Sequence, residues 1–145
     1  MIRATHVISV KQQTKAPNDE IELEYDLRHR RRLVMTSSSG KEFLLDLPQA
    51  TALLDGDNLS LDDGSVITVR AKTERVAEIT ANSATHLVQI AWHLGNRHLP
   101  TQILEDRLRI LDDHVIVKLA QGLGARVDVI DAPFQPEGGA YAHEH

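Results

Sequence analysis

Cysteine is absent from the 145 residues of this chain. That excludes disulfides, thiolate zinc sites and cysteine nucleophiles, and any metal site has to use nitrogen and oxygen donors. Aromatic residues make up only 3% of the chain. A core must then be built from Leu, Ile, Val and Ala, and there are no interleaved aromatics on which nucleic-acid bases would stack. There is no excess of positive charge, the formal net charge being -5. Binding to bulk nucleic acid or to an anionic membrane calls for a basic face and is not favoured. Long apolar runs are missing as well. Met1-Ile2-Arg3-Ala4-Thr5-His6 lacks the apolar stretch of a signal peptide, and no segment approaches a membrane span. The expectation is a cytoplasmic protein that engages neither membrane nor nucleic acid.

Hydrophobic residues account for 41% of the chain, enough for a packed core. The first 70 residues read as β. Ile2–Val10 alternates loosely, Ala16-Pro17-Asn18-Asp19 is a turn, and Ile21, Leu23 and Tyr25 alternate with Glu22 and Glu24. Asp26–Thr36 holds the basic run Arg28-His29-Arg30-Arg31-Arg32, and Ser37-Ser38-Ser39-Gly40 separates it from a strand at Glu42–Asp46. Asp63-Gly64 marks a hairpin between Leu59–Leu61 and Val66–Val69.

The pattern changes near residue 71. Val76–Ile79 is a strand. Asn82 or Ser83 then caps a helix whose apolar positions, Leu87, Ile90, Ala91 and Leu94, stand at helical spacing. Gly95 is the expected residue just past that helix, where left-handed backbone is wanted. Two short strands follow, Gln102–Glu105 and Arg107–Leu111. Asp112 or Asp113 caps a second helix with Val115, Ile116, Leu119, Ala120 and Leu123 on its apolar side, ended by Gly122 and Gly124. Arg126–Ile130 is the last strand. The fold class is α+β: a small all-β domain over 1–72, then a ferredoxin-like β-α-β-β-α-β domain over 73–132. Residues 133–145 read as a flexible tail with little to bury. Each domain is small enough that oligomerisation would add useful burial.

The eight histidines are unevenly placed. His93-Leu94-Gly95-Asn96-Arg97-His98 sets two imidazoles around a Gly-Asn break, and imidazole suits Ni, Cu and Zn. His93 lies in the last turn of its helix, where the dipole alone favours it. For His98, a turn histidine bonded to backbone stands beside the metal reading. His143-Glu144-His145 is a His-x-His end. On extended backbone its two imidazoles share a side and can converge on one ion; a disordered hydrophilic end is the other reading. His114 follows two carboxylates that face a helix N-terminus, so capping competes with ligation there. The basic run Arg28–Arg32 reads as a protein-binding face or a solvated strand. No phosphate loop, His-Glu-x-x-His or serine elbow is present, and nothing calls for an enzyme.

His93-Leu94-Gly95-Asn96-Arg97-His98-Leu99-Pro100 closely resembles the signature of the UreE family, urease accessory nickel metallochaperones. Asp113-His114-Val115, Leu119 with Leu123-Gly124, and Asp57-x-Leu59 with Asp63-Gly64 resemble other parts of the same family, in order along nearly the whole chain. The resemblance implies an N-terminal all-β domain that binds protein partners and a C-terminal ferredoxin-like domain that binds metal and dimerises. It implies that His98 from each protomer meets at the two-fold axis and holds one Ni(II), with His143 and His145 completing the shell. His93 would be structural. His114 matches a peripheral metal position, but its family partner two residues earlier is His where this chain has Asp112. The cargo would be Ni(2+), with Zn(2+) and Cu(2+) as competitors. The partners would be the urease accessory GTPase and the urease apoprotein in their maturation complex, with association of two dimers around a metal left open. The rival reading is a protein-interaction adapter whose metal binding is incidental.

Overall fold

The computed structural model describes residues 1–12 and 16–138. The chain divides into two compact units, Met1–Lys72 and the residues from Thr73 on. Among the described residues no helix is long and apolar enough to cross a membrane.

The first unit is all β. Its strands are β1 (Arg3–Ile8), β2 (Asp19–Leu23), β3 (His29–Thr36), β4 (Glu42–Ala52), β5 (Asn58–Leu61) and β6 (Val66–Ala71). They form one sheet in the order β2-β6-β5-β1-β4-β3. The β1/β4 and β2/β6 pairs are parallel and the others antiparallel. Alternation selects the core: Phe43, Leu45 and Leu47 of β4 point inward, as do Ile21 and Leu23 of β2, with Leu59, Ile67 and Val69. β4 runs on through Pro48, well beyond the strand expected at Glu42–Asp46. Proline is tolerated there because the β3/β4 register breaks between Arg30 and Arg32, so Pro48 sits in the bulge. The Asp63-Gly64 hairpin forms as expected. Its three-residue loop has Leu61 N–H bonded to Ser65 C=O, and Gly64 takes φ +84°. Asp57 is buried, its carboxylate accepting from the N–H groups of Val10 and Leu54.

The two edge strands of this sheet, β2 and β3, line one cavity of about 220 Å³ with Leu27 between them. The sheet is thus curled until its edges face each other. One end of this seam is closed by Ser38 N–H to Glu20 C=O at 2.8 Å. There the Asp19 carboxylate also accepts from the Ser37 and Ser39 hydroxyls. The other end is closed by Arg28, which donates to the carbonyls of Leu23 and Leu53. Arg28 is buried, so the expected five-residue basic face is shorter by one: only His29 to Arg32 are exposed, and Arg30 pairs with Asp26.

The hydroxyls of Ser37 and then Ser39 hold the Asp19 carboxyl down to about 2. A carboxylate depressed in the folded state contributes stability above its ordinary value near 4, and loses it as pH falls towards 2. Asp19→Asn is expected to lower the melting temperature of this unit at pH 6 by more than at pH 2. Melting curves between these limits check it; a wild-type/variant difference that does not shrink on acidification would reject this role for Asp19.

The second unit carries β7 (Thr73–Thr80), α1 (Ala84–Asn96), β8 (Gln102–Ile103), β9 (Leu108–Leu111), α2 (His114–Gly122) and β10 (Arg126–Pro133). The antiparallel sheet has the order β10-β7-β9-β8, so its strands run 4-1-3-2 in chain order. This is the ferredoxin-like β-α-β-β-α-β arrangement. Both helices cover one face, where Ile90 and Leu94 of α1 and Ile116 and Ala120 of α2 pack with Ala77, Ile79, Leu108 and Ile110. Leu87 and Ala91 join this cluster as their spacing predicts. Val115 does not: it is 56% exposed, and Val117 takes its place beside the core. Ser83 caps α1 by accepting from His86 N–H, and Asp113 caps α2 by accepting from Val115 and Ile116 N–H.

Candidate metal centre

The site is best built from how the two helices end. α2 stops at a Schellman motif: Gly124 N–H bonds to Gln121 C=O at 2.9 Å and Ala125 N–H to Ala120 C=O at 3.1 Å, with Gly124 at φ +89°. α1 ends in the same pattern. His98 N–H bonds to Gly95 C=O at 3.0 Å and Leu99 N–H to Leu94 C=O at 3.4 Å. The residue in the left-handed position is therefore His98, at φ +56°. It is the single non-glycine residue with positive φ among the described residues. This corrects the expectation that the helix stops before Gly95. The reason is packing. Leu99 reaches back onto the cluster that contains Leu94, the apolar contact that accompanies this motif. Stopping at Gly95 would put polar Asn96 in that place.

His98 is exposed, and no hydrogen bond or ion pair of its ring is found among the described residues. A left-handed L-residue costs about 1–2 kcal/mol, so the chain holds an imidazole in solvent at a position glycine would fill more cheaply. The backbone on both sides is fixed. The Schellman bonds lie before it, and Thr101 Oγ1 donates to Leu99 C=O at 3.1 Å after it.

The other histidines divide clearly. His86 accepts from Asn82 N–H at Nδ1, 3.0 Å. Its Nε2 lies 2.7 Å from Leu123 C=O and must donate to it, since a carbonyl only accepts. His86 is thus a strut between the start of α1 and the end of α2, with no lone pair to spare. His93 is half-buried in the last turn of α1, with Trp92 edge-on at 5.2 Å between ring centroids. Both line a cavity of about 390 Å³ with Val88, Ile90 and Leu123. His114 is the first residue of α2 and is exposed. Its neighbour Asp113 and His98's neighbour Leu99 line one cavity of about 210 Å³. His143 and His145 lie outside the described residues.

Among the described residues, no three His, Asp or Glu side chains gather into a metal shell. The described residues alone therefore offer no three-donor shell around His98. Two features went unread in the sequence. Phe134, at the head of the stretch expected to have little to bury, is fully buried. Glu137 is bonded back to the turn after His98: its N–H donates to Thr101 C=O at 2.8 Å and its carboxylate accepts from Ile103 N–H at 3.4 Å. The available signal was Phe134, a large aromatic set between Pro133 and Pro136.

Two family models cover nearly the whole chain. The N-terminal domain of the UreE urease accessory protein matches residues 2–72, and its C-terminal domain matches residues 74–145. A urease accessory protein UreE of Bradyrhizobium sp. (strain ORS 278) is 57% identical over 148 residues, covering 100% of this chain and 70% of that protein. One from Chelativorans sp. (strain BNC1) is 53% identical, covering 100% of this chain and 90% of its own length. One from Rhodopseudomonas palustris (strain HaA2) is 52% identical, again over 100% of this chain and 67% of its own. With both halves matched and identity above half in several relatives, the chain belongs to the UreE family of urease accessory proteins.

Proposed function

We propose that this protein is a nickel carrier for urease maturation. It binds Ni(II) at a homodimer two-fold axis through His98 of each protomer, and passes the ion to the accessory GTPase that serves the urease apoprotein. His143 and His145 supply further donors, and His114 is an auxiliary position. The observation that carries this reading is the His98 turn: an exposed imidazole, without a partner among the described residues, held in left-handed backbone by a fully bonded helix end.

Three further observations support it. Among the described residues no three donors gather around His98, which fits an ion shared between two chains. Val88 and Trp92, one turn apart on the helix that leads to His98, are 68% and 65% exposed. An apolar pair of that size on the surface suits a subunit contact. The base of the C-terminal segment, at Glu137, is bonded to Thr101, three residues from His98.

The mechanism is ligand exchange. Two imidazoles with water and tail donors bind an ion firmly enough to carry it and loosely enough to release it. Nitrogen and oxygen donors do not select nickel, since Cu(II) stands above Ni(II) in the divalent series. Zn(2+) and Cu(2+) compete, and specificity comes from the partners.

Calorimetric titration with Ni(II), with mass by light scattering, tests this on the wild type, His98→Ala and a chain ending at Ala142. About one ion per two chains is expected for the wild type. His98→Ala should lose the tightest site and remain a dimer, and the shortened chain should keep a weaker site. Wild-type binding by His98→Ala would remove the assignment and favour the adapter reading.

A further inference from the structure

The basic run at the start of β3 has no part in the metal reading, and its members divide sharply. Arg28 is buried and spends its guanidinium on the carbonyls of Leu23 and Leu53. The four residues that follow, His29, Arg30, Arg31 and Arg32, are all exposed. A strand packed on a core alternates, as β3 does further along, where Leu33 and Met35 join the core and Val34 does not. Four exposed residues in succession mean that this end of β3 has left the sheet. The strand pairing agrees. The β1/β4 ladder spans only Leu44 and Leu45, and from there to Ala52 the sole strand partner of β4 among the described residues is β3. His29–Arg32 and Pro48–Ala52 therefore form a two-stranded arm. It is fixed to the body of the unit at its root, where Leu53 N–H donates to Arg28 C=O at 2.7 Å.

Charge on this arm is one-sided. The facing stretch Pro48-Gln49-Ala50-Thr51-Ala52 has no acidic residue. Arg30 pairs with Asp26 at 3.0 Å, but that carboxylate is 82% exposed, and a pair in water is worth little and is readily exchanged. Arg31 donates to Leu47 C=O at 3.4 Å, which leaves its charge unbalanced. The carboxylate opposite Arg32 on the ladder is Asp46, and Arg3 holds it at 3.2 Å. In a chain of net charge -5, three guanidiniums thus stand together against one loosely held carboxylate.

We infer that the arm is a docking surface for an acidic segment of a partner protein. Guanidinium grips a carboxylate through two parallel hydrogen bonds and sheds its water more readily than ammonium, which suits it to an interface. On the other strand, exposed Pro48, Gln49 and Ala50 carry no charge to desolvate. Nucleic acid shares the negative charge but not the fit. The arm has no Phe, Tyr or Trp for a base to stack on, and the chain as a whole is acidic. The surface belongs to the first unit, uses no metal ligand, and does not rest on the carrier reading.

Fluorescence anisotropy on the full chain tests it, with a labelled peptide of alternating glutamate and serine as the probe. The wild type should bind this peptide, more weakly as salt rises. Arg31→Gln combined with Arg32→Gln should bind of the order of tenfold more weakly, the sum of two modest charge contacts, and should melt at the wild-type temperature. Lys118→Gln combined with Arg126→Gln makes the same change in net charge at exposed positions of the second unit, and should bind like the wild type. Equal weakening by the two double variants would reduce the effect to net charge and overturn the arm as a site. Absence of binding by the wild type, or unaltered binding by the Arg31/Arg32 variant, would overturn it too. A single-stranded oligonucleotide of matching charge should bind less tightly than the peptide; tighter binding would assign the arm to nucleic acid and reject a protein partner. No readout involves nickel, so these results stand apart from those of the nickel titration.

Discussion

His98→Gly should make the second unit more stable and, at the same time, abolish its tightest nickel site. At φ +56° a histidine bears the left-handed penalty that glycine avoids. Glycine gives part of that gain back, because its unfolded chain is freer. The net expectation is a gain of about 0.5–1 kcal/mol. That is a rise of a few degrees in melting temperature for a unit of this size. His98→Ala separates the two effects, since it removes the imidazole yet keeps the strained backbone. Its melting temperature should match the wild type, with the same loss of nickel. Thermal melts without metal and nickel titrations of the three proteins check this. If His98→Gly melts below the wild type, the ring contributes a stabilising contact, and its left-handed backbone is no sign of a retained ligand.

Leu94→Ala should have the largest effect on folding, and it should fall on one unit alone. Leu94 is fully buried, packs in the helix-sheet core, and its carbonyl accepts from Leu99 N–H. Truncating such a leucine costs roughly 2–5 kcal/mol, depending on how far the site collapses. The two units have separate core clusters that share no residue. Hydrogen exchange followed by mass spectrometry should then show faster exchange throughout α1, α2 and β7, with β1, β4 and β5 unchanged. Equal acceleration in both units would mean that they unfold as one cooperative body. Loss of the Leu94–Leu99 contact should also free the His98 turn, so nickel affinity should fall although no ligand has been touched.

Much of this was legible in the residues. The spacing of Leu87, Ile90, Ala91 and Leu94 gave α1 its buried side. The caps were narrowed to Asn82 or Ser83 and to Asp112 or Asp113, of which Ser83 and Asp113 serve, and Asp63-Gly64 marked its hairpin. The end of α1 was misplaced because glycine was weighed by itself. A Schellman end is decided by where its apolar contact falls, and that contact needs Leu99. The same rule at α2 agrees with glycine, so Gly122 and Gly124 gave no warning. Val115 fails as a core residue because at the first turn of a nine-residue helix one step in phase separates it from Ile116. Arg28 was read as one of a run, yet its role depends on carbonyls at Leu23 and Leu53 that only the curled sheet brings to it. Glu137 was invisible for a similar reason: its partners are 34 and 36 residues away in sequence, and neither is a motif.

The seam between β2 and β3 gives the first unit a direction of mechanical weakness. Every other neighbouring pair of strands in that sheet is joined by a ladder of backbone bonds. Across the seam there is a backbone bond at Ser38, the serine–carboxylate contacts of Asp19 and the guanidinium of Arg28. A force drawing β2 away from β3 meets those few attachments at the ends and a cavity in the middle. The sheet would part along that line and open flat, with its remaining ladders intact.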